Sequence, residues 1–308
     1  MNHVLARRMA HVGLVVAVSS ALFAACGGGS SSSPVTTRVK NAALPTTTVE
    51  GGEGTTETSV EDTTPPTSSE APAVTEAPAV TQAPAPVANQ ASLSAGQDGD
   101  AFGGAVVLSD DGSTLAVGSL KSESDQGSVT VFGRTAGKWV QQEVLSDVNG
   151  AAKDWFGYSM AISKDGNTLA IGAVYADVSG KADQGNVLVF ARADGAWKLQ
   201  TTLVGQAGAA GDVFGVSVDL SGDGNTVAVG AAGADVGKVA DQGSATVFVR
   251  NGAEWSLQQV LTVAGGDAKA NFGSSVSLSS DGNTVAVGGP NAGKGSVVVF
   301  SRANGTWS

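Results

Sequence analysis

An all-β fold, a β-propeller of four-stranded antiparallel blades, is what this sequence predicts, and three observations predict it. Phe-Gly recurs at Phe102, Phe156, Phe214 and Phe272, spaced 54, 58 and 58 residues apart. An Asp-Gly turn follows each Phe at an offset of nine (Asp111, Asp165, Asp223, Asp281) and a glycine at an offset of 16 (Gly118, Gly172, Gly230, Gly288). No stretch carries a helix period, whereas short runs alternate apolar and polar residues with period two. Internal repeats of this length with several strand signals each define a propeller blade.

The third copy shows the four strands. Val216, Val218 and Leu220 alternate with Ser217, Asp219 and Ser221. Gly222-Asp223-Gly224-Asn225 is a hairpin turn, since Gly and Asn tolerate positive φ. Val227 to Val229 lie in a second strand, whose small residues let neighbouring backbones approach. Ser244 to Arg250 make a third, rich in β-branched residues, and Trp255 to Thr262 a fourth. In every copy a Phe precedes a Trp by seven: Phe132 and Trp139, Phe190 and Trp197, Phe248 and Trp255, Phe300 and Trp307. Those tryptophans read as inter-blade packing. The fourth copy stops at Trp307-Ser308. Either residues 90–95 supply its outer strand and close a four-bladed ring, or the propeller is open-ended or incomplete.

These repeats resemble the FG-GAP family, which forms the β-propeller of integrin α-chains and of many exported bacterial proteins. The third copy, FGVSVDLSGDGNTVAVGAAGADVGKVADQGSATVFVR, carries the likeness most fully, and the resemblance covers residues 102–308. The TolB-like propeller repeat shares the Ser-x-Asp-Gly turn but lacks Phe-Gly at a fixed distance.

The chain before the repeats divides in two. Residues 1–25 read as an export signal: Arg7 and Arg8, then an apolar run too short to span a bilayer well. Leu22-Phe23-Ala24-Ala25-Cys26 is similar to a bacterial lipobox, which makes Cys26 the lipidation residue and the membrane a partner through that anchor. The alternative is an ordinary signal peptide or short membrane anchor with an incidental Cys. Residues 26–91 hold eight of the nine prolines and no Trp, Tyr or Phe. Such a stretch buries too little apolar area to offset its ordering entropy and reads as a disordered stalk. At about 3.1 Å per residue it reaches on the order of 200 Å when extended. Residues 92–308 hold all five Trp, eight of nine Phe and 36 of 43 Gly, and form the repeat domain.

Composition narrows the chemistry. The chain has 308 residues and a net charge of -11, with one Cys and two His. His3 and His11 lie in the export signal, so the mature chain would lack histidine; Ser-His-Asp, Cys-His and His-zinc chemistry and disulfides are excluded. The acidic balance argues against nucleic acid. The domain's glutamates are Glu123, Glu143 and Glu254, and no acid pair stands isolated in an apolar setting, so the chain is read as a non-enzyme. An exported hydrolase, or a structural part of a larger envelope assembly, is the alternative.

The expected function is a lipid-anchored module on the cell envelope, outside the cytoplasm, that binds an extracellular protein or polysaccharide. Loop lengths place its face. The A–B turns are uniform, but the Gly-to-Phe distances across loop B–C are 14, 18, 18 and 12. In a meander, loops B–C and D–A share one side. Asp154, Trp155, Tyr175 and Asp212 are its contact candidates, the two aromatics because they break the repeat. The resemblance implies Ca²⁺ in the A–B loop, but that loop offers only one or two Asp here. The remaining calcium candidates pair Asp177 with Asp183 and Asp235 with Asp241; the same residues also suit Asx-type turn caps.

Overall fold

Alternating patterns and turn glycines do produce blades. The structure, a computed structural model, describes residues 91–308. The first blade holds β1 (Phe102–Leu108), β2 (Thr114–Ser119), β3 (Ser128–Thr135) and β4 (Lys138–Leu145). The second holds β5 (Phe156–Ile162), β6 (Thr168–Ala173), β7 (Asn186–Ala193) and β8 (Ala196–Leu203). The third holds β9 (Phe214–Leu220), β10 (Thr226–Ala231), β11 (Ser244–Asn251) and β12 (Glu254–Leu261). The fourth holds β13 (Ser275–Leu278), β14 (Thr284–Gly289), β15 (Ser296–Ala303) and the two-residue β16 (Thr306–Trp307). Each sheet is an antiparallel meander in chain order. The export signal, Cys26 and the stalk lie outside the described residues.

The Phe-Gly motif is a β-bulge. Phe156 pairs with Ala173 but Ser159 with Gly172, so Gly157 and Tyr158 are extra. Gly157 takes φ 92°, and Gly103, Gly215 and Gly273 lie within a few degrees of it, a region that excludes most side chains. Within each blade the motif Phe meets the third-strand Phe edge to face, at centroid distances of 6.2 to 6.3 Å.

The core lies between blades. Strands β1, β5, β9 and β13 lie side by side in that order, and among the described residues β13 makes no comparable contact with β1. Val187, Val189 and Leu203 of the second blade pack on Phe214, Val218, Leu220 and Phe248 of the third, and the other two junctions repeat this layer. The glycine 16 residues after Phe serves it: an added Cβ at Gly118, Gly172 or Gly230 would strike the carbonyl of Gly157, Gly215 or Gly273 in the next blade. Trp197, Trp255 and Trp307 pack at the junctions as expected, Trp197 and Trp307 being buried, whereas Trp139 joins no inter-blade cluster among the described residues. Each also carries an arginine two residues after the third-strand Phe: Arg134, Arg192, Arg250 and Arg302 sit 4.6 to 5.9 Å from their Trp ring centroids. The proposed ring-closing strand is not formed, since residues 91–95 carry no strand and β16 is the fourth blade's own.

Candidate functional site

The side carrying loops B–C and D–A is built first by an inter-blade clamp. Asp125, Asp183 and Asp241 open three Asp-Gln-Gly segments and sit at φ 67°, 54° and 51°. Their carbonyls accept the N–H of Trp155, Val213 and Asn271, each at 3.2 Å, and the next carbonyl (Gln126, Gln184, Gln242) accepts the motif Phe N–H at 2.7 to 2.9 Å. The clamp thus ties each of three blades to the following Phe-Gly.

This geometry bears on the calcium candidates. Asp177 Oδ1 accepts the Asp183 N–H at 2.9 Å, and Asp235 Oδ1 accepts the Asp241 N–H at 2.9 Å. Paired N–H···O bonds between Val178 and Lys181, and between Val236 and Val239, close the two loops. A hard cation takes about six to eight oxygens, and among the described residues no three His, Cys, Asp or Glu side chains converge. In each pair the first carboxylate caps the loop through the second residue's N–H. In the A–B turns, Ser221 Oγ and the Asn225 backbone and side-chain amides all donate to Asp223, and Asp165 repeats the set. Partial burial pushes the carboxyls of Asp165 and Asp223 up, but these hydrogen bonds prevail and hold them below the ordinary range.

Asp154 and Asp212 serve loops in the same way. Asp154 Oδ2 accepts the Ala151 N–H and Asp212 Oδ2 the Ala209 N–H, each at 2.7 Å, and half-buried Asp100 caps Gln97 likewise. Both carboxylates are buried rather than presented to solvent. Burial raises the Asp212 carboxyl, helped by Asp235 and Asp241 and opposed by the Ala209 N–H and by Lys181.

Trp155 and Tyr175 do come together. Their rings lie edge to face at 5.2 Å, and Tyr158, which neither period nor spacing singles out, stacks on Trp155 at 6.0 Å and 26°. Tyr175 is buried; Trp155 and Tyr158 are half-exposed. Val174, Val213, Val216 and Ala232 pack beneath, so the second and third blades both support the cluster. Trp155 holds φ 56°, fixed by its N–H bond to Asp125. Burial first, then the Tyr175 phenol, pushes the Tyr158 hydroxyl far above its ordinary value. The site is an aromatic platform that carries the Trp155 indole N–H and two tyrosine hydroxyls.

The fold defines a class: four-stranded antiparallel repeats of propeller type. The FG-GAP repeat model matches residues 139–190, 197–248 and 255–300. Each match begins at the outer-strand Trp of one blade and ends at or near the third-strand Phe of the next, so the family's repeat straddles the junction that the Phe-Gly motif builds. The chain therefore carries FG-GAP repeats in an all-β, propeller-like fold. No curated protein matches it. Among solved structures, TolB from Acinetobacter baumannii is similar at 14% identity, with a TM-score of 0.39, over 66% of this chain and 41% of that one. The chain spans well under half of that protein's length, and the likeness carries no functional argument.

Proposed function

We propose that this chain is a lipid-anchored binding or adhesion module of the cell envelope, which presents its B–C and D–A loop face to a protein or glycan. The observation that carries this reading is the Trp155–Tyr158–Tyr175 cluster: two half-exposed rings, stacked, held by two blades and confined to one junction. Preorganised aromatic rings with a polar tip give contact area at low entropic cost. The reading includes no catalytic role. Of the domain's glutamates, Glu143 already accepts the Trp197 N–H at 3.0 Å. Cys26 as the anchor and residues 26–91 as its stalk complete the reading.

The test has two arms. Growth with a radiolabelled or clickable fatty acid should label the chain, and Cys26→Ala should abolish the label. Binding of the full chain to a glycan array and to immobilised envelope proteins should drop at least tenfold in Trp155→Ala and Tyr158→Ala, with a cooperative melt showing that each variant still folds. Binding that both variants retain would place the contact elsewhere.

A further inference from the structure

Three junctions join the described blades. Their apolar layers match, but their polar bonds do not. At the second and third junctions four bonds recur. The A–B turn reaches the next blade through the Lys164 N–H on the Gly222 carbonyl (2.9 Å) and the Gly222 N–H on the Ser280 carbonyl (2.8 Å). The D–A loop reaches back through the Gly211 N–H on the Ala182 carbonyl (2.9 Å) and the Lys269 N–H on the Ala240 carbonyl (2.8 Å). Ser159 Oγ donates to the Gly215 carbonyl at 2.7 Å and Ser217 Oγ to the Gly273 carbonyl at 2.8 Å. Finally, Gln200 Oε1 accepts from the Trp255 indole and Arg250, and Gln258 Oε1 from the Trp307 indole and Arg302, at 2.8 and 3.3 Å in each pair.

At the first junction, between β1–β4 and β5–β8, none of the four forms among the described residues. Asp110 and Lys153 stand where Lys164 and Gly211 stand, and neither backbone N–H crosses to the other blade. Ala105 replaces Ser159 and Ser217 and has no hydroxyl. Gln142 matches Gln200 and Gln258, yet its amide lies over Gly133, in the space that a Cβ there would fill. Ala191 and Val249 carry a side chain at that position. The Trp197 indole N–H and the Arg192 Nε–H are therefore buried without an acceptor, a state that costs a fold more than a missing surface bond does. The backbones are also less tightly apposed there: an added Cβ would approach the neighbouring carbonyl least at Gly118, more at Gly172 and most at Gly230. What holds the first junction is the buried layer around Phe156, the Asp125–Gln126 clamp, the Trp197 backbone N–H on Glu143, and Arg192 on Thr114.

We propose that the first junction is a hinge: it opens locally while the second and third stay closed, and its opening unclasps Trp155 of the aromatic platform from Asp125. Local opening takes place where a structure has the fewest supporting contacts and bonds, and here the shortage follows from two residues, Ala105 and Gly133. The Trp155 N–H crosses this junction to the Asp125 carbonyl at 3.2 Å, and the Phe156 N–H crosses to the Gln126 carbonyl at 2.7 Å. The least-bonded joint thus clasps one ring of the platform, whereas Val174, Val213 and Ala232 beneath it belong to the better-bonded second and third blades. With the joint closed, Trp155 is held against Tyr158 and Tyr175; with it open, the platform gives up part of its preorganisation. This control over ligand contact rests on the binding role proposed above; the hinge itself does not, and its test needs no ligand.

Amide hydrogen exchange of the full chain bearing Cys26→Ser, which removes any lipid, tests this. After correction for intrinsic rates, Trp155 and Phe156 should exchange about tenfold or more faster than Val213 and Phe214, and than Asn271 and Phe272. Two substitutions should tighten the joint. Ala105→Ser supplies the hydroxyl that donates to the Gly157 carbonyl, as Ser159 and Ser217 do one junction on. Gly133→Ala displaces the Gln142 amide toward Trp197 and Arg192, as Ala191 and Val249 leave Gln200 and Gln258. Each should slow Trp155 and Phe156 by about threefold or more, the worth of one net hydrogen bond, and leave the other four amides unchanged. Adding Gln142→Ala to Gly133→Ala should abolish the second gain, which separates the new bond from the effect of alanine on the strand. Equal protection at the three junctions overturns the proposal. So does exchange at Phe272 as fast as at Phe156, which would mark general fraying of the outer blades. Exchange at Trp155 and Phe156 that neither substitution slows also overturns it, because the missing bonds would then not set the opening.

Discussion

Replacing the second-strand glycines one at a time by alanine separates inter-blade contact from strand propensity. Gly118, Gly172, Gly230 and Gly288 occupy one position in successive blades. An added Cβ would approach the next blade's carbonyl most closely at Gly230, less at Gly172, and to 2.7 Å at Gly118. Among the described residues no later blade abuts Gly288, and its Cβ would meet only the rotatable Ser275 hydroxyl. Carbonyls of a bulged strand cannot rotate away, so the blades must part. Overpacking of this kind costs about 1–3 kcal/mol, and the ordering places Gly230→Ala at about 3 kcal/mol and Gly118→Ala near 1 kcal/mol. Gly288→Ala should instead be neutral or gain about 0.4–1 kcal/mol, from the reduced entropy of the unfolded chain. For a domain of this size 1 kcal/mol is about 2–4 °C, so Gly230→Ala should melt about 6–12 °C lower. The assay is a thermal melt and a denaturant titration. Equal losses at Gly230 and Gly288 would refute the reasoning, because they would show that strand conformation rather than the neighbouring blade sets the cost.

Other perturbations follow from the same contacts. Phe214→Ala empties a fully buried seat and should cost about 3–5 kcal/mol, whereas Phe102→Ala, at a half-buried ring, should cost less than half of that by denaturant titration. Asp165 and Asp223 have folded pKa values below the unfolded carboxylate value. Their contribution to stability is full above that value and fades as pH falls through the folded one; Asp223→Asn should flatten the loss of stability below about pH 4, seen in denaturant titrations across pH. Asp212 has the opposite sign, because burial raises it. It favours the fold when protonated and less as pH rises through its folded value, so Asp212→Asn should be tolerated better at pH 7 than Asp223→Asn. Millimolar Ca²⁺ against a chelator should leave the melting temperature unchanged. A ligand at 100 times its dissociation constant adds about 2.7 kcal/mol, so a rise of several degrees would restore the paired aspartates as ligands.

Much of the fold is legible in the sequence because a blade is local. A strand, its hairpin turn and the next strand are neighbours in the chain, so period two, Asp-Gly and a β-branched run suffice to write them. Four aligned copies also expose the glycines and tryptophans that must be packing residues. The arginine at two residues after each third-strand Phe was equally visible, as FGR, FAR, FVR and FSR, and only its stacking on Trp gives it meaning. What the Asp residues do was not legible. Asp177, Asp183, Asp154 and Asp212 suit metal, ligand or cap alike, and the choice depends on which N–H each oxygen meets. Tyr158 shows the same limit, since it sits at a position held elsewhere by Gly104, Val216 and Ser274, and its ring matters only because Trp155 stacks on it.

The sequence by itself determined the blade, its repeat and its turns, because these rest on contacts between residues near in the chain. Only the tertiary structure decided how blades join. It showed Phe-Gly as a key and Asp-Gln-Gly with the facing glycines as its seat at three junctions. Those contacts link residues some 30 to 60 positions apart through backbone carbonyls and N–H groups, which every residue type carries and no residue letter records.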